Sequence, residues 1–327
     1  MTAGGERMRP ADGPLEAFFL IGPTAVGKTG VGQHLAERDG GCILSADSML
    51  VYRGMDVGTA KPSPAERGPV PYAGIDLAAP HETFSVAAYR RHALEALRRA
   101  AAAGRRTLVV GGTGLYVKAL THGLAPLPAA DPAVRARWEA HYRAHGVAGL
   151  QAALRERAPA LWAALPDPRN PRRLLRALEL HAAGIETPAA GWERDGARGA
   201  APLVGLRRSA ADLKSRIELR VAAMYRQGLI EEVAGLRDRY GELSAVARKA
   251  IGYEEAIAVL RGACGEDEAR ARTAARTRRL ARRQMTWFRK QADVRWIDVG
   301  ADDPAGRTAT AVRKEWGRYG ATAIADG

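Results

Sequence analysis

At 327 residues the chain is long enough for one large α/β domain with an insertion or for two modest domains, and no apolar run is long enough to cross a bilayer. The formal net charge of +14 favours a polyanionic partner. The two cysteines, Cys42 and Cys264, lack C-x-x-C or Cys/His spacing, which excludes a disulfide framework or a zinc finger and predicts a reducing, cytoplasmic setting.

The first predicted element is an apolar strand over residues 18–21, which follows a polar, glycine-rich stretch, residues 1–14, that we interpret as a disordered lead-in. A phosphate-binding loop follows the strand and runs into a helix. Its glycines let backbone N–H groups point inward, its lysine reaches a polyphosphate, and its threonine hydroxyl ligates Mg²⁺. The residues of this predicted P-loop are Gly22, Pro23, Thr24, Ala25, Val26, Gly27, Lys28 and Thr29. The loop indicates that a polyphosphate is bound, and it leaves the reaction open.

A second apolar strand is predicted over residues 42–46 and ends at Asp47 and Ser48. The strand–helix–strand succession predicts a parallel sheet, in which the carboxyl ends of the strands face the ligand crevice. Asp47 is therefore the first catalytic candidate. The stretch 51–62 is dense in turn residues, and we interpret it as an ordered loop over the site rather than part of the core.

A helix over residues 85–103 leads to a third strand, residues 107–110, which ends in a glycine-rich turn. A typical P-loop ATPase carries a Walker-B aspartate at this position, and none is present here. The glycines indicate backbone that a ligand approaches closely. Thr113 in this turn either supplies a hydroxyl to the wall of the site or caps the next helix.

From residue 131 the composition changes to Ala/Arg/Leu-rich helices separated by proline and glycine. We interpret residues 131–200 as a small helical insertion between two parts of the core domain, residues 15–130 and 201–320. The predicted fold is α/β, with a P-loop NTPase-like parallel sheet flanked by helices. Beyond a strand at residues 202–206, Arg216 and Arg220 lie one helical turn apart and either face solvent or reach phosphates on the P-loop.

The long helix predicted over residues 267–291 concentrates positive charge, because residues 270–290 hold nine basic side chains and no acid. Arg279 and Arg283 continue a helical face that begins with Arg272 and Arg276. Like charges at this spacing repel by a few tenths of a kcal/mol per pair unless an anion lies against them. A phosphodiester backbone would supply that anion.

These motifs together resemble the tRNA dimethylallyltransferase family and, without a zinc-finger tail, its bacterial form. The resemblance covers about residues 18–295 in family order. Its motifs are the P-loop, Asp47-Ser48, and residues 52–62, 110–116, 171–179, 251–253 and 282–289.

The resemblance implies transfer of a dimethylallyl group from dimethylallyl diphosphate to N6 of the adenosine 3′ to the anticodon, in tRNAs that read U-initial codons. The P-loop would then hold an allylic diphosphate with Mg²⁺ bound through Thr29, and Asp47 would accept the N6 proton or orient that weakly nucleophilic amine. We expect a monomer that binds the anticodon stem-loop. The tRNA contacts implied or predicted are Asp47, Ser48, Met49, Leu50, Thr113, Arg135, Arg172, Arg173, Leu174, Leu175, Arg176, Arg248, Gly252, Tyr253, Arg279 and Arg283.

Three other functions remain open from the residues. A small-molecule P-loop kinase would use Asp47 as its base but leaves the basic helix without a role. Prenylation of free adenine nucleotides would not need so much basic surface. A non-enzymatic RNA-binding protein would not need the intact Gly27-Lys28-Thr29 sequence together with Asp47.

Overall fold

The computed structural model describes residues 14–125, 127–187 and 201–325, so the predicted lead-in before residue 14 and the end of the predicted insertion lie outside the described residues. The described chain divides into two compact units. The first contains the residues up to Gly123 and those from Ala201 onward, and the second begins at Leu124 and is described to Thr187.

A twisted sheet of mainly parallel strands forms the centre of the first unit. Its strands are β1 Glu16–Ile21, β2 Cys42–Ala46, β3 Tyr72–Ala73, β4 Thr107–Gly111, β5 Leu203–Arg207, β6 Val294–Asp298 and β7 Thr322–Ala323. The order is β3-β2-β4-β1-β5-β6, all parallel, and β7 pairs antiparallel with the start of β1. In this register Phe19 lies opposite Val109, and Leu20 lies opposite Val204.

The helices predicted over residues 85–103 and 267–291 begin and end within about one residue of the predicted positions. The described residues form twelve α-helices. They are α1 Lys28–Asp39, α2 Pro64–Arg67, α3 Val86–Ala102, α4 Gly114–Thr121, α5 Pro132–Arg157, α6 Pro159–Ala163, α7 Pro171–Ala182, α8 Ala210–Arg226, α9 Leu229–Tyr240, α10 Tyr253–Leu260, α11 Glu266–Gln291 and α12 Ala305–Tyr319. Of these, α5, α6 and α7 belong to the second unit.

Apolar side chains cover both faces of the sheet, because successive residues of a strand point to opposite sides. Phe19 and Ile21 of β1 pack into a core with residues of α3, α4, α8 and α11. Leu20 points the other way, into a second core that contains Val31 of α1 and Val312 of α12. The predicted parallel sheet flanked by helices is confirmed.

The turn-rich stretch 51–62 corrects one expectation. Val51, Tyr52 and Met55 are fully buried in the core of the first unit, so the prediction that this loop lies outside the core is wrong. Turn residues predict the path of the backbone, whereas the apolar side chains between them decide what the loop buries.

The second unit has its own core, which includes Trp138, Leu154, Leu174 and Leu178. Helix α5 is interrupted at Gly146, where φ is +63° and ψ is −162°. The backbone at this glycine is not helical, so α5 consists of two helical segments, one on each side of Gly146.

Candidate functional site

The P-loop segment, residues 22–29, joins β1 to α1 with several backbone positions in the left-handed region. Gly22 has φ +144°, and a Cβ there would lie 2.6 Å from the carbonyl oxygen of Leu206, so only glycine fits. Ala25 has φ +64°, which is uncommon for a residue with a side chain and typical of functional loops. The carbonyl of Ala25 accepts a hydrogen bond from Arg216 Nε at 3.0 Å, which helps to hold this conformation.

A cavity of about 400 Å³ lies at the carboxyl ends of β1, β2 and β4, within the first unit. Five P-loop residues line it, together with Asp47 and Leu50 after β2, Arg216 and Arg220 from α8, and Gln284 from α11. The five are Thr24, Ala25, Gly27, Lys28 and Thr29. Gly22, Pro23 and Val26 shape the loop from behind, and Val26 is fully buried in the core.

The structure places both of the predicted arginines of α8 at the wall of the cavity. Arg216 holds the P-loop carbonyl of Ala25, and Arg220 NH2 donates to the carbonyl of Thr59 at 3.0 Å. Because both guanidinium groups still have free N–H donors, they remain able to bind an anion placed between them and the P-loop.

Charge in the cavity is poorly solvated. Burial lowers the pKa of Lys28 to about 8, although Asp47 opposes the shift and Arg220 adds to it. Burial also lowers the pKa of Arg220, again against the effect of Asp47. The Lys28 ammonium donates to the carbonyl of Pro23 at 2.7 Å. Three cations and one carboxylate line this poorly solvated space, so the net charge around it is positive. A bound anion would stabilise the cations, which burial has deprived of contact with water.

Backbone hydrogen bonds fix the turn that follows β2. Asp47 Oδ1 accepts from the amide of Met49 at 2.9 Å, and Thr113 Oγ1 accepts from the amide of Ser48 at 3.0 Å. Thr113 stands at the N-cap position of α4, yet its side chain makes no capping bond. The hydroxyl therefore ties the turn after β4 to the turn after β2. Asp47 lines the cavity, and its second carboxylate oxygen has no hydrogen-bond partner in the part of the chain that the structure describes.

Gln284 is a residue of the cavity to which sequence reasoning assigned no role. Its Oε1 accepts from the amide of Thr24 at 2.9 Å, and its Nε2 donates to the carbonyl of Gly112 at 3.0 Å. The only available signal was an uncharged amide within an arginine-rich motif. Which two loops it joins depends on the packing of α11, and local sequence does not show that.

In the second unit, the predicted RNA contacts separate into two groups. Arg172 and Arg173 are exposed, whereas the side chains of Leu174 and Leu175 lie in the core and offer no surface to a ligand. Arg135 and Arg176 pair with the buried carboxylate of Glu179 at 3.1 Å and 3.3 Å. Their charge is therefore partly committed within the unit, because removing either would leave Glu179 short of a partner.

In the first unit, the predicted contacts around α10 are also partly structural. Tyr253 is fully buried, and its hydroxyl donates to Glu232 Oε1 at 2.6 Å. Gly252 is buried beside it, and Arg248 lies 3.9 Å from Glu242. Of these three predicted residues, only Arg248 presents a charged group at the surface. The Tyr253 side chain belongs to the core, because it is fully buried.

The expectation that the arginines of α11 need an external anion holds for only some of them. Arg270 and Arg272 pair with acids in the first turn of the helix, Arg276 with Glu255 at 2.7 Å, and Arg278 with Glu218 at 3.4 Å. These acids come from other elements or precede the acid-free span. The basic side chains that are exposed and lack an ion-pair partner among the described residues are Arg279, Arg282, Arg283, Arg289 and Lys290.

The fold and the cavity define an α/β protein with a small cavity that is lined by three cationic side chains and one carboxylate. Residues 50–291 match the family described as IPP transferase. The chain is 42% identical over 294 residues to the tRNA dimethylallyltransferase of Nocardia farcinica, an alignment that covers 90% of this chain and 93% of that relative. The chain therefore belongs to the IPP transferase family, and the resemblance drawn from its motifs is confirmed.

Solved structures agree with this assignment. The full-length tRNA isopentenylpyrophosphate transferase from Bacillus halodurans is 35% identical, with a TM-score of 0.66 and coverage of 93% of this chain and 98% of that one. A eukaryotic dimethylallyltransferase, solved acting on tRNA, is 20% identical with a TM-score of 0.71, covers 92% of this chain and 79% of that one, and shares the fold. Across the part of the chain that the structure describes, no helix has the length and apolar character to cross a membrane.

Proposed function

We propose that this protein transfers a dimethylallyl group from dimethylallyl diphosphate to N6 of the adenosine 3′ to the tRNA anticodon, in tRNAs that read U-initial codons. The observation that carries the proposal is the shared cavity, in which Lys28, Arg216 and Arg220 lie around one space with Asp47 at its wall. Membership of the IPP transferase family supports the same reaction.

The cations of the cavity are suited to the leaving group. As the bond between the allylic carbon and the diphosphate oxygen breaks, negative charge grows on the diphosphate. Lys28, the two arginines and the P-loop amides would stabilise that charge without rearranging, because the fold already holds them in place. The absence of a Walker-B aspartate fits this chemistry, since no phosphoryl group is transferred.

Asp47 is placed for the acceptor side of the reaction. The exocyclic N6 amine is a weak nucleophile, and its proton must leave as the new N–C bond forms. A carboxylate within hydrogen-bond reach commonly contributes a factor of about 10² to 10⁴. Asp47 has one oxygen engaged by the Met49 amide, which orients the carboxylate, and its other oxygen would take the proton.

The donor set of the cavity fits Mg²⁺ as a cofactor. The Thr29 hydroxyl is exposed at the cavity wall, and oxygen ligands of this kind suit a hard cation. Within the described ranges no group of three or more His, Cys, Asp or Glu side chains could hold a metal ion. Thr29 would hold Mg²⁺ together with diphosphate oxygens, and the ion would add positive charge that stabilises the leaving group.

The exposed basic side chains of α11 would offer positive charge to a tRNA backbone, and within the second unit Arg172 and Arg173 would do the same. We expect the protein to act as a monomer, because one copy of the chain supplies the groups that the reaction needs.

The test is incubation of the purified protein with labelled dimethylallyl diphosphate, Mg²⁺ and unmodified tRNA reading U-initial codons. Parallel reactions contain ATP with nucleosides, or free adenine nucleotides as acceptors. We expect label in tRNA and none in free nucleotides. Phosphate transfer from ATP with no label in tRNA would show a kinase and overturn the proposal, and label in free nucleotides alone would show a different acceptor.

A further inference from the structure

A single carboxylate from α9 holds a stretch of backbone that leads into the cavity. Glu232 Oε2 accepts from the amides of Asp56 and Val57 at 2.8 Å and 2.6 Å, and its Oε1 accepts from the amide of Gly58 at 3.2 Å. Hydrogen bonds to an ionised acceptor are stronger than neutral ones. Three consecutive backbone amides on one side chain therefore fix the path of residues 56–58.

A hydrogen bond from a core side chain orients the Glu232 carboxylate. The hydroxyl of Tyr253 donates to Glu232 Oε1 at 2.6 Å, and the Tyr253 side chain is fully buried. The same ring packs against the held stretch, since a Cβ on Gly58 would lie 2.4 Å from Tyr253 Cε2. Glu232 thus sits between a rigid core group and a loop that has little room to shift.

The held stretch continues directly into the cavity wall. Thr59 and Ala60 line the cavity, and the carbonyl of Thr59 accepts from Arg220 NH2 at 3.0 Å. Beyond them, the buried ammonium of Lys61 donates to the carbonyl of Tyr52 at 2.7 Å and pairs with Asp76 at 2.6 Å. Thr59 is therefore anchored on both sides, and its carbonyl is a fixed acceptor that directs Arg220.

We propose that Glu232 is a positioning residue for Arg220. Its carboxylate holds residues 56–58 so that the Thr59 carbonyl presents the Arg220 guanidinium to the diphosphate of the donor. The Arg220 guanidinium is poorly solvated, so a misdirected group cannot recover its hydrogen bonds from water and would turn away from the ligand. This inference rests on the proposed diphosphate site, but it concerns anion binding and not the transfer step.

The test compares Glu232→Gln with Glu231→Gln, which removes a carboxylate from the neighbouring, exposed position of α9. Gln keeps the size of the side chain but loses the charge and one of the acceptors for the backbone amides. The measurements are the Kd of inorganic diphosphate with Mg²⁺ by calorimetry, and the KM of dimethylallyl diphosphate and of tRNA. We expect Glu232→Gln to weaken diphosphate binding at least tenfold and to leave the KM of tRNA within twofold, whereas Glu231→Gln changes neither.

A double-mutant cycle separates positioning from general destabilisation. If Glu232 acts through Arg220, the double variant Glu232→Gln with Arg220→Lys should bind diphosphate less than threefold more weakly than Arg220→Lys alone. Losses that multiply, or unchanged diphosphate affinity in Glu232→Gln, would overturn the proposal.

Tyr253→Phe removes only the orienting hydroxyl, and we expect a smaller loss of diphosphate affinity than in Glu232→Gln. This variant keeps the proposal testable if Glu232→Gln folds poorly. Wild-type protein that binds diphosphate but transfers no prenyl group would overturn the proposed function alone.

Discussion

Gln284 accepts a hydrogen bond from the backbone amide of Thr24 at 2.9 Å, across 260 residues of chain. Because the same side chain donates to the carbonyl of Gly112, it joins α11 to both the P-loop segment and the end of β4. The helix that carries Arg279 and Arg283, for which the described part of the chain offers no ion-pair partner, is thus bonded directly to the P-loop segment that lines the cavity. We therefore expect a change at Gln284 to affect both the cavity and the basic surface.

Gln284→Leu should therefore weaken both stability and donor binding. The substitution leaves the Thr24 amide and the Gly112 carbonyl without their partner, at a cost of about 1–3 kcal/mol for each group that stays buried. We expect the Tm to fall by several degrees and the KM of dimethylallyl diphosphate to rise more than that of tRNA. Gln291→Leu, at the exposed end of the same helix, is the control: it removes only a solvent-exposed hydrogen bond from Lys118 at 3.1 Å and should leave both nearly unchanged. Equal effects of the two variants would contradict the bridging role.

The pKa of Lys28 predicts a pH dependence for diphosphate binding. Its pKa is lowered to about 8 in the fold from an ordinary 10.5, so between these values the unfolded chain binds more protons. Below about pH 8 the buried lysine is charged, and the full cost of burying that charge lowers the free energy of unfolding. Between about pH 8 and 10.5 the free energy of unfolding rises with pH, because the folded protein gives up this proton first. A bound anion reverses the shift, because it favours the charged form.

Diphosphate affinity should consequently fall as the pH rises above 8, by about tenfold per pH unit, with uptake of one proton on binding. Lys28→Met is the reference, because it shares the titration of the ligand and lacks the lysine. Calorimetry in buffers of different ionisation enthalpy measures the proton uptake. Parallel pH profiles for the two proteins would show that Lys28 does not titrate in this range.

Asp47→Asn should separate catalysis from binding. Asparagine keeps an oxygen acceptor for the Met49 amide, so the turn after β2 retains its hydrogen bond. We expect the rate of single-turnover prenyl transfer to fall by about 10² to 10⁴, with tRNA affinity within a few-fold of wild type. Transfer that survives at the wild-type rate would mean that another group takes the N6 proton.

Replacement of Arg279 and Arg283 by alanine tests the exposed face of α11. Both lack ion-pair partners among the described residues, so we expect weaker tRNA binding and a salt dependence whose slope falls by about one for each phosphate that an arginine no longer neutralises. The matched control is Arg98→Ala with Arg99→Ala, two exposed arginines of α3. Affinity is measured by filter binding over a range of salt concentration. An unchanged slope would assign Arg279 and Arg283 to the solvated surface.

Gly111 offers a test of the sheet itself. A Cβ at this position would lie 2.2 Å from the carbonyl oxygen of Ala46 on the neighbouring strand. Since both atoms belong to the central sheet, neither can move far, and Gly111→Ala should cost about 3 kcal/mol or more of unfolding free energy. Gly235→Ala in α9 meets no atom within 4 Å and should instead stabilise by about 0.5–1 kcal/mol. Denaturant unfolding compares the two variants.

The sequence by itself determined much of this protein because its strongest signals are local. The spacing of Gly22, Gly27 and Lys28 predicts the loop between β1 and α1, and the alternating elements predict a parallel sheet. That sheet in turn predicts that Asp47 faces the same crevice as the loop. The helices predicted over residues 85–103 and 267–291 followed from local patterns and agree with α3 and α11 to within about one residue.

Tertiary structure alone decided which charged and polar groups are partners. Arg276 meets Glu255 and Arg135 meets Glu179 across helix contacts, while Leu174 and Tyr253 are buried by neighbours distant in sequence. Gln284 reaches Thr24, and Glu232 reaches residues 56–58, only because α9 and α11 pack where they do. A local pattern states what a side chain is able to bind, whereas its actual partner depends on contacts formed by the folded chain.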